Sequence, residues 1–182
     1  MFQPSFTSEY GKTADWREPH EFSYFWRDSL GCNPHLEDQV RQSNVPQLGS
    51  SLIDLGRSAG TAIAVKAFPA LWLADRLCEL PSNVRFLIIE READEIARSL
   101  RAGWMRAAET GEDWFSLRPK GWESIVGGEV EQKLEFQVAG LLGALQELKE
   151  TVEGVMRWQT LSYRELVESP GSIPGRMSEL LG

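Results

Sequence analysis

The chain has 182 residues, of which 42% are hydrophobic and 25% charged, an ordinary composition for one globular domain with a sizeable core. Its 19 basic and 27 acidic residues give a net charge of -8, the wrong sign for a protein that holds nucleic acid or an anionic membrane through overall charge. The two cysteines form neither a metal-ligand spacing nor a disulfide framework, and no segment has the pattern of a membrane span or a signal peptide. We therefore expect one cytoplasmic domain over residues 1–182, without bound metal and without nucleic-acid or membrane partners.

The first part of the chain predicts loop and helix before a first strand. Residues 1–34 mix aromatic residues with Gly and Pro, which indicates mostly loop with a short helix. Residues 36–60 are compatible with helix, and "TAIAVK" at 61–66 predicts a buried strand that ends at a lysine. A helix is predicted over 69–80, between two prolines.

The stretch "RFLIIEREADEIARSL" at 85–100 joins a second strand to a helix. Residues 86–89 form a continuous apolar run, which is typical of a strand covered on both faces. After Glu92 the apolar positions change to helical spacing. Arg91 therefore lies at the carboxyl end of a strand where a helix begins, which is where α/β folds bind ligands.

The rest of the chain predicts a long helix and a third strand. An aromatic-rich, irregular connection at 113–128 is followed by an amphipathic helix over 129–154. "VMRWQTLSY" at 155–163 predicts the strand. This order indicates an α/β domain, a three-layer sandwich with a small parallel sheet.

The three predicted strands end at Lys66, Arg91 and Tyr163. Each residue alone is more often a solvated or packing side chain than a functional one. Ser99 follows Arg91 by two helical turns. Together they suggest a phosphate pocket, in which the arginine supplies a bidentate fork, the serine a hydroxyl and the helix a favourable dipole.

The strand, arginine and "EADEIARS" segment resembles the one by which sulfotransferases hold the 3'-phosphate of 3'-phosphoadenosine 5'-phosphosulfate (PAPS). "VKAFPALWLADRLCELP" at 65–81 is similar to the preceding family segment, in which a lysine ends a strand and a helix follows. "LSYRELVESPGSIPGRMSELLG" at 161–182 is similar to the family's stretch of tyrosine, acidic residue, leucine and proline. "EPHEFSYFWR" at 18–27 is similar to a subgroup of bacterial sulfotransferases. The resemblance covers most of residues 16–182.

This resemblance implies a P-loop-NTPase-like sulfotransferase fold and transfer of a sulfonyl group from PAPS to a hydroxyl or amine of a small-molecule acceptor. It implies that Arg91 and Ser99 bind the 3'-phosphate, that Tyr163 contacts the adenine and that Lys66 lies near the transferred group. Many cytosolic members carry a catalytic histidine two residues after the lysine, where this chain has Phe68. The base that takes the proton from the acceptor must then be another residue. His20, beside two glutamates, is the candidate, with a loop-packing role as the alternative.

Two departures from the family pattern bear on activity. Glu92 and Ala93 stand where the family usually has aspartate and proline. The glycine and serine/threonine loop that cradles the 5'-phosphosulfate is not found: "YGKT" at 10–13 lacks the earlier glycine, and "GRSAGTA" at 56–62 lies too close to Lys66. The family's closing carboxyl-terminal segment is not found either. We therefore expect a truncated, partial sulfotransferase domain that is inactive alone.

Two other interpretations remain open. The chain can be a catalytically inactive remnant that acts as a nucleotide-binding or protein-interaction module, whereas a different nucleotide-dependent kinase or hydrolase is disfavoured because no Walker-type loop is present. Several aromatic residues could line an acceptor pocket or belong to the core: Trp16, Phe22, Tyr24, Phe25 and Trp26. The sequence assigns neither the acceptor nor the oligomeric state.

Overall fold

The structure is a computed structural model, and it describes residues 23–60, 63, 65–155 and 158–181. Helices predominate, and two short strands form a small parallel sheet. The described α-helices are α1 (Ser23–Leu30), α2 (Glu37–Arg41), α3 (Val45–Ala59), α4 (Ala93–Thr110), α5 (Val130–Val155), α6 (Tyr163–Glu168) and α7 (Ile173–Leu181). The strands are β1 (Phe86–Glu90) and β2 (Trp158–Ser162). The mixed α/β class with a small parallel sheet is thus confirmed.

The sheet pairs β1 with β2 in parallel, from Phe86 opposite Trp158 to Glu90 opposite Ser162. Helices α4 and α5 lie in the crossover between the two strands, as a parallel connection requires. The strand predicted at 61–66 is wrong for the residues that the structure describes, since Ile63, Val65 and Lys66 belong to no strand. The carbonyl oxygen of Lys66 instead accepts the indole N–H of Trp26 at 3.0 Å.

A long 3-10 helix, Phe68–Glu79, occupies the position of the helix predicted after Pro69. Its extent matches the prediction, but its turns are tighter. A 3-10 helix has three residues per turn, so side chains three positions apart lie in one row. Ala74, Leu77 and Leu80 form such a row, with at most 9% of each residue exposed.

The central core lies between the 3-10 helix, α1, α3 and α5. Trp26 and Trp72 are its largest members, with exposed fractions of 3% and 0%. Trp26 also meets Phe25 edge to face, with ring centroids 5.3 Å apart. Trp26 is therefore a core residue, and the suggestion that it lines an acceptor pocket is wrong, because its ring is enclosed by apolar neighbours and its N–H is already bonded.

A second, aromatic cluster forms where α4 and α5 meet the 113–128 connection. Trp104 and Trp114 pack edge to face at 5.0 Å between centroids, and Trp122 packs against Trp114 at 5.4 Å. Gln137 is fully buried among them and hydrogen-bonds to the connection. Apart from a short 3-10 helix at Trp122–Ser124, the connection is therefore fixed by aromatic packing and by the hydrogen bonds of Gln137.

An ion-pair network ties α2 to α5. The guanidinium of Arg41 donates to both carboxylate oxygens of Glu147, at 3.2 and 2.7 Å, and its Nε donates to Glu37 at 2.8 Å. These bonds, first of all that to Glu147, raise the pKa of Arg41 above its ordinary value, against the opposing effect of burial. Glu37 in turn accepts the backbone N–H of Lys120 at 2.7 Å. The network therefore also fixes the end of the aromatic connection.

Among the described helices, none has both the length and the apolar character needed to cross a membrane.

Candidate anion-binding site

The candidate site begins where the two strands end together. Glu90 and Ser162 are register partners at the carboxyl ends of β1 and β2. Arg91 follows β1 and Tyr163 follows β2, so the two residues emerge from the same edge of the sheet. Neighbouring strands lie about 4.8 Å apart, which puts the two side chains within contact distance.

Arg91 and Tyr163 are in direct contact. The guanidinium carbon of Arg91 lies 3.8 Å from the centroid of the Tyr163 ring, well within the range of a cation-π interaction. Both residues are half-buried. The Nε of Arg91 is buried and has no hydrogen-bond acceptor, and Arg91 forms no ion pair with a described carboxylate. Its positive charge is therefore not neutralised within the described part of the protein.

Two of the four carboxylates within four positions of Arg91 in the sequence have other partners. Glu90 pairs with Lys149 of α5. Asp94, in the first turn of α4, pairs with Arg98 at 3.3 Å. Glu92 is exposed and precedes α4 as its N-cap without a side-chain capping bond. The two pairings offset the negative charges of Glu90 and Asp94 beside Arg91.

Tyr163 is held by the start of α6. The Ser162 hydroxyl accepts the backbone N–H of Glu165 at 3.0 Å, which is an N-cap bond, so Tyr163 is the first residue of the helix rather than the last of the strand. The carboxylate of Glu165 pairs with Arg176 of α7 at 3.2 Å. The backbone that carries the tyrosine ring is thus fixed on both sides.

Ser99 lies on α4, the helix that follows Arg91, and its side chain is exposed. Six residues separate it from the helix start, about 9 Å along the axis at 1.5 Å per residue. No contact in the described residues joins its hydroxyl to Arg91. Of the five predicted site residues, the structure thus brings together Arg91 and Tyr163.

Lys66 and His20 complete the predicted set. Lys66 is exposed and lies two residues before the 3-10 helix. Its own backbone carbonyl accepts the hydrogen bond from the indole of Trp26. His20 lies outside the described residues, as do Trp16 and Phe22. The catalytic roles given to Lys66 and His20 therefore stay predictions.

The sequence analysis did not identify Lys149, which pairs with Glu90 across 59 positions of the chain. One signal could have pointed to such a partner: a half-buried glutamate at the end of a strand needs a cation nearby. Which cation it would be depends on how α5 packs, and this is not visible in the sequence pattern.

Within the described residues, no group of three or more His, Cys, Asp or Glu side chains is arranged to hold a metal ion. The arrangement of Arg91 and Tyr163 is suited to a different ligand class, because the planar guanidinium matches the geometry of phosphate and sulfate groups. Comparison with known proteins gives no family model, no curated protein and no solved structure that matches this chain.

Proposed function

We propose that this chain is a sulfotransferase-type domain that binds the 3'-phosphate end of PAPS at the carboxyl edge of the β1–β2 pair. One observation carries the proposal: Arg91 is half-buried at that edge, has no ion-pair partner in the described residues and lies against an aromatic ring. A guanidinium that has no carboxylate partner among the described residues keeps its planar donors for a phosphate group. The resemblance of residues 85–100 to the family's phosphate-binding segment supports the same assignment.

In the proposed reaction, the acceptor oxygen or nitrogen forms a bond to sulfur while the bond from sulfur to the bridging phosphate oxygen breaks. The electron pair of the broken bond leaves with adenosine 3',5'-bisphosphate, and the acceptor's proton passes to a base, for which His20 is the candidate. Lys66 would neutralise negative charge that develops on the leaving phosphate. Arg91 and Ser99 would hold the 3'-phosphate and so fix the donor's position.

The second candidate is a module that binds the same nucleotide without turning it over. It is favoured by one feature of the sequence, the lack of a recognisable glycine and serine/threonine loop for the 5'-phosphosulfate. Such a loop supplies several backbone N–H donors, and losing even one preorganised donor typically slows a reaction by about a hundredfold or more. Both candidates share the phosphate site at Arg91.

The binding experiment is calorimetry with adenosine 3',5'-bisphosphate. We expect Arg91→Ala to lose about 1.5 to 3 kcal/mol of binding free energy, the range for hydrogen bonds to charged groups. Arg106→Ala is the matched control, because Arg106 is an exposed arginine on α4 and its substitution removes the same charge as Arg91→Ala. Equal affinities for wild type and Arg91→Ala, or no binding by the wild type, would exclude both candidates.

The transfer experiment separates the candidates. PAPS is incubated with the protein and a panel of phenols, alcohols and amines, and sulfonated product is measured. Product formed by the wild type and lost in Arg91→Ala supports the transferase, and a loss in His20→Ala as well supports the proposed base. Nucleotide binding without any product supports the binding module.

A further inference from the structure

We propose that Tyr163 is a positioning residue for Arg91: one face of its ring orients the guanidinium for a phosphate ligand, and that face is not offered to the base of the nucleotide. The inference rests on the proposed function, because it concerns the same site. It differs from the role that the family resemblance implies, in which the tyrosine contacts the adenine.

The contact distance carries the argument. The Arg91 guanidinium carbon is 3.8 Å from the centroid of the Tyr163 ring, which is van der Waals contact. Stacked planar groups need about 3.5 Å between their planes, so an adenine cannot enter between the two side chains. That face of the Tyr163 ring is occupied by Arg91, and a purine could use it only by displacing the guanidinium.

The surroundings of the pair show why a ring is needed to orient this arginine. Arg41, by contrast, is held by the carboxylates of Glu147 and Glu37. Arg91 has no such partner among the described residues, and its Nε has no acceptor. The contact with Tyr163 restricts the long side chain while leaving its positive charge without a counter-ion.

The position of the ring is itself fixed. Tyr163 starts α6 directly after β2, and the Ser162 hydroxyl caps this helix by accepting the N–H of Glu165. The strand register places Ser162 opposite Glu90, the residue before Arg91. Sheet pairing therefore sets the separation of Arg91 from Tyr163 before any ligand binds, which is preorganisation in the sense that lowers the cost of binding.

The test compares two probes by calorimetry: adenosine 3',5'-bisphosphate, and a methyl riboside 3,5-bisphosphate, which carries the same phosphates without the base. We expect Tyr163→Leu to weaken the binding of both probes by the same factor, about three- to thirtyfold for the loss of a cation-π contact. Tyr163→Phe keeps the ring and should bind both probes as the wild type does. Tyr163→Met, a second variant without a ring, covers the case in which the leucine variant does not fold.

A comparison in the Arg91→Ala variant distinguishes a positioning role of Tyr163 from a general structural role, because only a positioning role depends on the Arg91 side chain. If Tyr163 acts through Arg91, adding Tyr163→Leu to Arg91→Ala causes no further loss for either probe. Weaker binding of the nucleotide alone in Tyr163→Leu, with the riboside unaffected, would overturn the inference and restore the tyrosine as a base contact. If Arg91→Ala changes neither affinity, or the wild type binds neither probe, the proposed function itself is wrong.

Discussion

The indole N–H of Trp104 donates to the Oε1 of Gln137 over 2.8 Å, inside the aromatic cluster where α4 meets α5. The same glutamine donates its amide N–H groups to the carbonyl oxygens of Phe115 and Leu117, at 2.9 and 2.6 Å. Gln137 is 0% exposed, so a single buried amide connects two helices and the irregular connection between them.

Gln137→Leu should therefore destabilise the protein strongly. The leucine fills a similar volume but leaves the Trp104 N–H and the Phe115 carbonyl without partners, at about 1 to 3 kcal/mol for each buried unsatisfied group. Chemical denaturation measures the free energy of unfolding. The matched control is Gln146→Leu on the exposed side of α5, where the glutamine hydrogen-bonds to Glu150, and we expect a change within about 0.5 kcal/mol. Similar losses in the two variants would contradict this account.

Gly103→Ala tests the close packing of the connection against α4. A Cβ atom at Gly103 would lie 2.1 Å from the Phe115 ring, so the ring or the helix must shift, and we expect a loss of about 1 to 3 kcal/mol from overpacking. Gly143→Ala in α5 is the control, because nothing lies within 4 Å of its Cβ position. That variant should gain up to about 1 kcal/mol of helix stability. The two substitutions thus have opposite predicted signs in thermal unfolding.

Arg41→Met should destabilise the protein by about 1 to 3 kcal/mol, because it leaves Glu37 without its arginine, and the Glu37 side chain is only 11% exposed. The control is Arg57→Met, whose ion pair with Asp54 has side chains 77% and 73% exposed. An exposed pair of this kind contributes about 0 to 1 kcal/mol. Equal effects of the two substitutions in denaturation experiments would show that the Arg41 network contributes little.

The Arg76–Glu79 pair predicts how one contribution to stability depends on pH. The hydrogen bonds from Arg76 lower the pKa of Glu79 below its ordinary value of 4.5. A carboxylate with a lowered folded-state pKa stabilises the fold at pH values above the unfolded pKa, and this contribution is lost as the pH falls through the folded pKa. The difference in unfolding free energy between wild type and Glu79→Gln should therefore be constant near neutral pH and shrink below about pH 4.5. A difference that grows on acidification would have the wrong sign.

Lys149 connects α5 to the candidate site through Glu90. Lys149→Met leaves the Glu90 carboxylate unpaired beside Arg91, so its negative charge should oppose a bound phosphate and weaken adenosine 3',5'-bisphosphate binding about three- to tenfold. Combining it with Glu90→Gln removes that charge and should restore the affinity. If the double variant binds as weakly as Lys149→Met alone, the lysine acts in another way than by neutralising Glu90.

Local patterns in the sequence were sufficient for most helices and for two strands. The α5 helix was predictable because its apolar residues recur at helical spacing over many turns. The strand before Arg91 was predicted from a short apolar run that lies between Arg85 and Glu90. The 69–80 segment was predicted as helical, but its apolar residues fit a spacing of three as well as of four, so the pattern could not distinguish 3-10 from α geometry. "TAIAVK" failed for a related reason, since a short apolar run is compatible with a strand and with a buried connection.

The sequence identified Arg91 and Tyr163 as candidate residues but did not predict the contact between them. A strand end followed by a helix start located Arg91, and a predicted strand ending in tyrosine located Tyr163. Their contact depends on the register between two strands far apart in the chain, which no local pattern encodes. The same limit hid Lys149, whose role depends on the packing of a helix against the sheet.

The distance along the chain between the two strands has a consequence for folding. Phe86 pairs with Trp158, so the chain between them must close a long loop before the first sheet bond can form, and long-range pairing of this kind is slow. We expect the strands to join only after α4 and α5 have packed, and pulsed hydrogen exchange would show late protection of the hydrogen-bonded amides of β1 and β2 relative to those of α5. The contact between Arg91 and Tyr163 exists only after the two strands have paired. A ligand bound at this contact would therefore stabilise the paired strands, slow unfolding and raise the melting temperature as the ligand concentration increases.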